Sequence, residues 1–161
     1  MALATDDALN TRTWRIIHAA MEVHKQLGPG LLESAYRACL THELRGMGMA
    51  VVTGVVLPVF YKGLSVESSY TIDLVVDREV VVELKAVEVV LPVHKAQLLT
   101  YLKLARYPVG LLLNFNVPLM KNGVTRLLNN KRAPEYRELL MACGAALRAA
   151  RIGSGVRMQV P

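Results

Sequence analysis

The sequence is short of the features that mark secreted or membrane-embedded proteins. Two cysteines in 161 residues give no disulfide framework; Cys39 and Cys143 lie in helical patterns and read as reduced, packed thiols of a cytoplasmic protein. No apolar stretch approaches the ~20 continuous residues of a membrane span. The longest, around Val51–Phe60 and Val109–Met120, are broken by Gly54, Pro58, Asn114, Asn116 and Pro118. Asp6 and Asp7 stand where a secretory leader would be basic and then apolar, so no leader is expected. Internal repeats, low-complexity tracts and linkers are also missing.

What is present is enough for a core. Hydrophobic residues make up 53% and mean hydropathy is +0.31, too apolar for disorder. A chain of this length buries roughly 68–70% of the surface its unfolded form exposes, so one domain can fold without disulfides or a structural metal. The net charge of +6 is uneven: residues 1–120 carry 11 basic and 11 acidic groups, whereas 121–161 carry 8 basic groups against Glu135 and Glu138. An excess of this kind invites an acidic partner, and it belongs to the last quarter of the chain.

The spacing of Trp14, Ile17, Met21 and His24 predicts an amphipathic helix over Thr11–Leu27, stopped by Gly28-Pro29-Gly30. A second helix follows over Leu31–Arg45, with Leu32, Ala35, Tyr36, Cys39 and Leu40 as its apolar stripe. From Met49 the composition turns to Val, Ile, Tyr and Phe and predicts strands near Ala50–Tyr61, Leu64–Val76 and Val80–Val87, with Pro58 marking an edge or bulge. Pro92–Ala105 is helical, Val109–Phe115 a buried strand with Val124–Leu128 as a hairpin partner, and Pro134–Arg151 a last helix. The order predicts a single α/β domain over residues 1–152, a central mixed β-sheet flanked by helices, and a mobile tail at 153–161.

Tyr70–Lys85 places Asp73, Glu83 and Lys85 among valines. Charges in so apolar a strand pair need pairing, hydration or a metal. On a strand, Glu83 and Lys85 share a face. Asp73 joins them only with the right hairpin loop. A two-residue loop pairs 76 with 79 and turns Asp73 and Glu83 to opposite faces; a three-residue loop, Asp77-Arg78-Glu79, pairs 76 with 80 and 73 with 83. A metal site therefore predicts the three-residue loop or a compensating bulge. Two converging carboxylates supply hard oxygen ligands for Mg²⁺ or Mn²⁺, and Lys85 can orient a water or stabilise charge on phosphorus. The plainer alternative is a Glu83–Lys85 ion pair beside a solvated Asp73.

His94, Gln97 and Tyr101 fall on one face of the following helix. Gln97 offers an amide and Tyr101 a hydroxyl, against the alternatives of a solvated glutamine and a core tyrosine. Glu33, with Tyr36 one turn on, is either a complement to its helix N-terminus or a further carboxylate for the site. Lys103 and Arg106 are candidate phosphate contacts, as are Arg126, Lys131, Arg132 and Arg137 if the last helix lies beside a groove. His24 and His42 read first as packing or surface histidines.

The segments VHKQLGPGLLESAY (Val23–Tyr36), YTIDLVVDREVVVELKAV (Tyr70–Val87), HKAQLLTYLKL (His94–Leu104) and VGLLLNFNV (Val109–Val117) together resemble the bacterial GxxExxY family of the PD-(D/E)xK nuclease-like superfamily. The likeness spans roughly residues 12–130. Gln97 and Tyr101 also match the QxxxY motif of the RecB-like branch. The resemblance implies a restriction-endonuclease-like core and divalent-metal-dependent hydrolysis of DNA, ahead of RNA. It makes Asp73 and Glu83 metal ligands with the Leu84 carbonyl as a further one, Lys85 the catalytic lysine, Glu33 an auxiliary carboxylate, and Gln97 and Tyr101 a supporting pair. His24 matches the VHK segment. Ile72 stands where many relatives have proline. The rival reading is a nuclease-fold protein without activity that binds nucleic acid or another protein. A domain this small has little room for a separate sequence-reading module, which leaves a homodimer or a partner protein open. No membrane association is expected.

Overall fold

The computed structural model describes residues 6–129; the helix expected at 134–151 and the tail from 153 lie outside them. The elements run α1 (Asp6–Leu27), α2 (Glu33–Gly46), β1 (Val51–Tyr61), β2 (Leu64–Val76), β3 (Val80–Lys85), α3 (Pro92–Ala105), β4 (Val109–Asn114), a 3-10 turn (Met120–Gly123) and β5 (Val124–Leu128). The sheet order follows the chain, β1-β2-β3-β4-β5. All neighbours are antiparallel except β3 and β4, which are parallel and joined by α3. A parallel pair needs such a crossover.

Both faces of the sheet are covered, which is why β3 and β4 are almost continuously apolar. Leu74, Val76, Val80, Val82, Leu111 and Leu113 pack with Ile16, Ala20, Leu40 and Leu44 of the first two helices. Val75, Val81 and Leu112 pack with Leu98, Tyr101 and Leu102 of α3. α3 lies close to β4: a Cβ on Gly110 would stand 2.8 Å from the Leu98 side chain.

Several expectations need correction. α1 starts at Asp6, where two aspartates complement its N-terminus. Its buried stripe is Leu9, Thr13, Ile16, Ala19, Ala20 and Val23, while Trp14 and Met21 are exposed. His24 of the expected stripe is also buried and Ile17 packs partly against the core, so the expectation fails at Trp14 and Met21 only. α2 begins at Glu33, and Leu32 is exposed. β3 ends at Lys85 because the Asn114 side chain takes both backbone groups of Val87, accepting its N–H at 3.1 Å and donating to its carbonyl at 2.8 Å. Pro58 lies on the edge strand β1, where the register shifts between Leu57 and Val59.

The β2–β3 connection has three residues: Val76 pairs with Val80, and Asp77 and Arg78 take positive φ. This is the loop length expected for a metal site, and the ladder it starts runs from Val76–Val80 to Leu74–Val82.

Candidate active site

The β2–β3 ladder ends at Leu74 and Val82, and the candidate site lies where the strands part. Ile72 and Val75 both face the α3 core while Leu74 faces the α1–α2 core, so side-chain alternation slips at Asp73. The Asp73 carboxylate replaces the next rung: its Oδ2 accepts the Leu84 N–H at 2.9 Å. Its Oδ1 accepts from Arg37 Nη1 of α2 at 2.8 Å.

Glu83 is only 3% exposed. Its Oε1 accepts from Lys85 Nζ at 2.6 Å, whereas Oε2 is buried without a partner among the described residues. An unpaired buried carboxylate oxygen is unfavourable, and burial pushes the Glu83 carboxyl from 4.5 up to about 7. The Lys85 bond opposes that rise and the Asp73 charge adds to it. Lys85 Nζ also donates to the Leu84 carbonyl at 3.1 Å and stands 4.0 Å from Glu33 Oε2. Burial works against the Lys85 ammonium, but Glu83, Glu33 and Asp73 outweigh it and hold its pKa above the ordinary value.

α3 closes the other side. Gln97 Nε2 donates to the Tyr101 hydroxyl. Burial raises the pKa of that hydroxyl, the Gln97 bond lowers it, and the charges of Glu83, Lys85 and Asp73 all act on it. The structure thus gathers Glu33, Asp73, Glu83, Leu84, Lys85 and Tyr101, with Gln97 bound to the tyrosine.

Other sequence candidates are placed differently. The Tyr36 hydroxyl donates to Gly28 O at 2.6 Å and accepts the Leu31 N–H at 3.1 Å, and its ring stacks 4.4 Å from Phe115. It fastens the Gly-Pro-Gly turn that leads into Glu33. His24 Nε2 is 2.8 Å from Val117 O, so that imidazole ties α1 to the segment after β4. His94 Nδ1 accepts the Leu91 N–H at the start of α3. Lys103 is exposed on α3 and Arg106 forms its left-handed C-cap. Arg126 donates to Asn10 at 2.9 Å. Lys131, Arg132 and Arg137 lie outside the described residues.

Sequence reasoning missed Arg37 and Asn114. Arg37 stands four residues after Glu33, on the same side of α2. That spacing was the available signal. Asn114, only 2% exposed at the end of β4, was read as an interruption of an apolar run rather than as the clamp on Val87.

Among the described residues no three His, Cys, Asp or Glu side chains converge into a ready metal cage. The donor set nevertheless fits a hard cation. Asp73 and Glu83 supply carboxylates, Leu84 supplies a carbonyl, and Glu83 Oε2 is a buried acceptor awaiting a positive partner. Two carboxylates with waters completing the shell is a common way of holding Mg²⁺.

A strand carrying Glu-x-Lys beside a strand carrying Asp, in a mixed sheet with helices on both faces, defines a nuclease-like α/β domain. Residues 10–127 match the family model of the PD-(D/E)XK nuclease superfamily, and the chain belongs to that superfamily. Its nucleases generally use divalent metals. No curated protein and no solved structure gives a significant match. No helix among the described residues is long and apolar enough to cross a membrane.

Proposed function

We propose that this protein is a divalent-metal-dependent nuclease that hydrolyses phosphodiester bonds in DNA, with RNA the second choice. Within its superfamily we assign it to the bacterial GxxExxY group, on Gly30, Glu33 and Tyr36, and to the branch with the QxxxY motif, on Gln97 and Tyr101. A cytoplasmic location is part of the same reading. The observation that carries the proposal is the partnerless, buried Oε2 of Glu83 next to Asp73.

Asp73 and Glu83, with the Leu84 carbonyl, would hold Mg²⁺ or Mn²⁺. When bound, such an ion offsets phosphate charge and acidifies a coordinated water. Lys85, pulled between Glu83, Leu84 O and Glu33, directs an ammonium at the charge that develops on a phosphate oxygen. Glu33, the most exposed of the three carboxylates, would serve as the auxiliary carboxylate and could take a proton from the attacking water. The Gln97–Tyr101 pair on α3 would support the site, the tyrosine hydroxyl lying within the electrostatic influence of Glu83, Lys85 and Asp73. Lys103 and Arg106 would contact the nucleic-acid backbone, and a homodimer or partner protein would extend the surface beyond this small domain.

Cleavage of single-stranded DNA, duplex DNA and structured RNA, measured in Mg²⁺, Mn²⁺ and chelator, tests the reading. Metal-dependent DNA cleavage that disappears in Glu83→Gln, with the fold intact by circular dichroism, is the expected result. Equal activity in the variant overturns it. The Arg37–Asp73 pair, satisfied without a cation, favours a second reading as a non-catalytic nucleic-acid-binding module. Salt-sensitive binding without metal, and no cleavage of any substrate, would establish that reading instead.

A further inference from the structure

Arg37 lies on α2, one turn beyond Glu33, and its guanidinium reaches the carboxylate at the fork of β2 and β3. Each Asp73 oxygen has one partner. Oδ2 accepts the backbone N–H of Leu84 in β3. Oδ1 is held by Arg37, whose side chain is 37% exposed against 8% for Asp73. The mobile, solvent-facing member of the pair is therefore the arginine. The contact is an ion pair between a half-exposed guanidinium and a buried carboxylate, so a second cation at the same carboxylate would compete with the arginine directly.

We propose that Arg37 is a latch on the metal site: it occupies the Asp73 oxygen that a divalent ion needs, and the ion must displace it to bind. This rests on the reading of Asp73 and Glu83 as cation ligands. Glu83 Oε2 has no partner among the described residues, so a cation held there would displace no protein contact. Asp73 Oδ1 would be open to the same cation once Arg37 withdrew toward solvent. In the metal-free protein the guanidinium stands in for the ion, offsetting the charge of a buried carboxylate and keeping it aimed at the fork.

Mn²⁺ titration calorimetry on the full chain tests the latch, comparing the wild type with Arg37→Met, Arg37→Lys and Glu83→Gln, together with crystal structures with and without Mn²⁺. Losing a charge-assisted hydrogen bond that competes with the ion should tighten Mn²⁺ binding about tenfold in Arg37→Met, with Arg37→Lys between it and the wild type. The metal-free melting temperature of Arg37→Met should fall. In the Mn²⁺-bound wild type the guanidinium should stand off Asp73 Oδ1. Equal or weaker binding by Arg37→Met overturns the latch, as does an Arg37–Asp73 contact that persists with Mn²⁺ bound. Should Arg37→Met fail to fold, Arg37→Lys and the Mn²⁺-bound structure decide by the same criteria. If neither the wild type nor the Arg37 variants bind Mn²⁺, or if Glu83→Gln binds as well as the wild type, the cation site itself is wrong and the latch falls with it.

Discussion

Glu83 and Lys85 project from the same face of β3 and are joined at 2.6 Å, yet among the described residues the second oxygen of the carboxylate has no partner. Its burial is therefore only partly compensated, which is why the Glu83 carboxyl titrates above the ordinary range.

Burial holds the Glu83 carboxyl at about 7 in the fold against 4.5 for the ordinary group. Between those values the folded protein keeps a proton that the unfolded chain releases. The contribution is complete below pH 4.5 and is lost as pH rises through 7, with an upper bound of about 3 kcal/mol. Metal-free urea denaturation should therefore show the wild type losing stability from pH 5 to pH 8, while Glu83→Gln loses markedly less. Parallel profiles for the two proteins would contradict the burial argument.

Lys85→Met removes the bond that draws the Glu83 pKa down, so that pKa should climb further. At neutral pH more of the carboxyl is then protonated, and Mn²⁺ has to displace the proton. Mn²⁺ binding followed across pH should reach half-saturation at a higher pH than in the wild type. Under the proposed nuclease reading, cleavage should fall by about 10²–10³-fold, the usual contribution of a positioned charge-stabilising donor.

Tyr36→Phe deletes two hydrogen bonds to the turn at Gly28–Leu31 while keeping the stack on Phe115. The expected loss is about 1–2 kcal/mol in chemical denaturation. Glu33 begins the helix after this turn, so backbone hydrogen exchange at Leu31–Ser34 should rise in the variant.

Gly123→Ala would place a Cβ 2.0 Å from the Asn114 carbonyl oxygen, and backbone cannot step aside there. A destabilisation of about 3 kcal/mol is expected from this overpacking. Gly46→Ala is the control: no atom lies within 4 Å, the residue ends α2 without positive φ, and helix propensity favours alanine by about 0.5–1 kcal/mol. Thermal melts of the two variants should move in opposite directions.

Much of the sheet was legible because strand chemistry is local. Leu64–Val76 and Val124–Leu128 fall where composition and turn residues place them, and the helix Pro92–Ala105 falls where its spacing places it. The three-residue loop was legible too, as one of two ways, with a compensating bulge, of turning residues 73 and 83 to one face; the structure has that loop and also a slip in alternation at Asp73. The α1 stripe was not. Small residues at Thr13, Ala19 and Ala20 are buried because of how closely the helix approaches its neighbours, and the exposed Trp14 supplied a misleading apolar period.

The amino-acid sequence by itself determined that Glu83 and Lys85 share a strand face, that Gln97 and Tyr101 share a helix face, and that Asp73 can meet Glu83 across an odd-numbered turn. Those relations follow from backbone periods of two and 3.6 residues. Tertiary structure alone decided who holds Asp73. α2 delivers Arg37 to Asp73 at the strand fork, and the packing of helices on the sheet leaves Glu83 buried. Burial and competing hydrogen bonds depend on that packing, and no spacing along the chain encodes them.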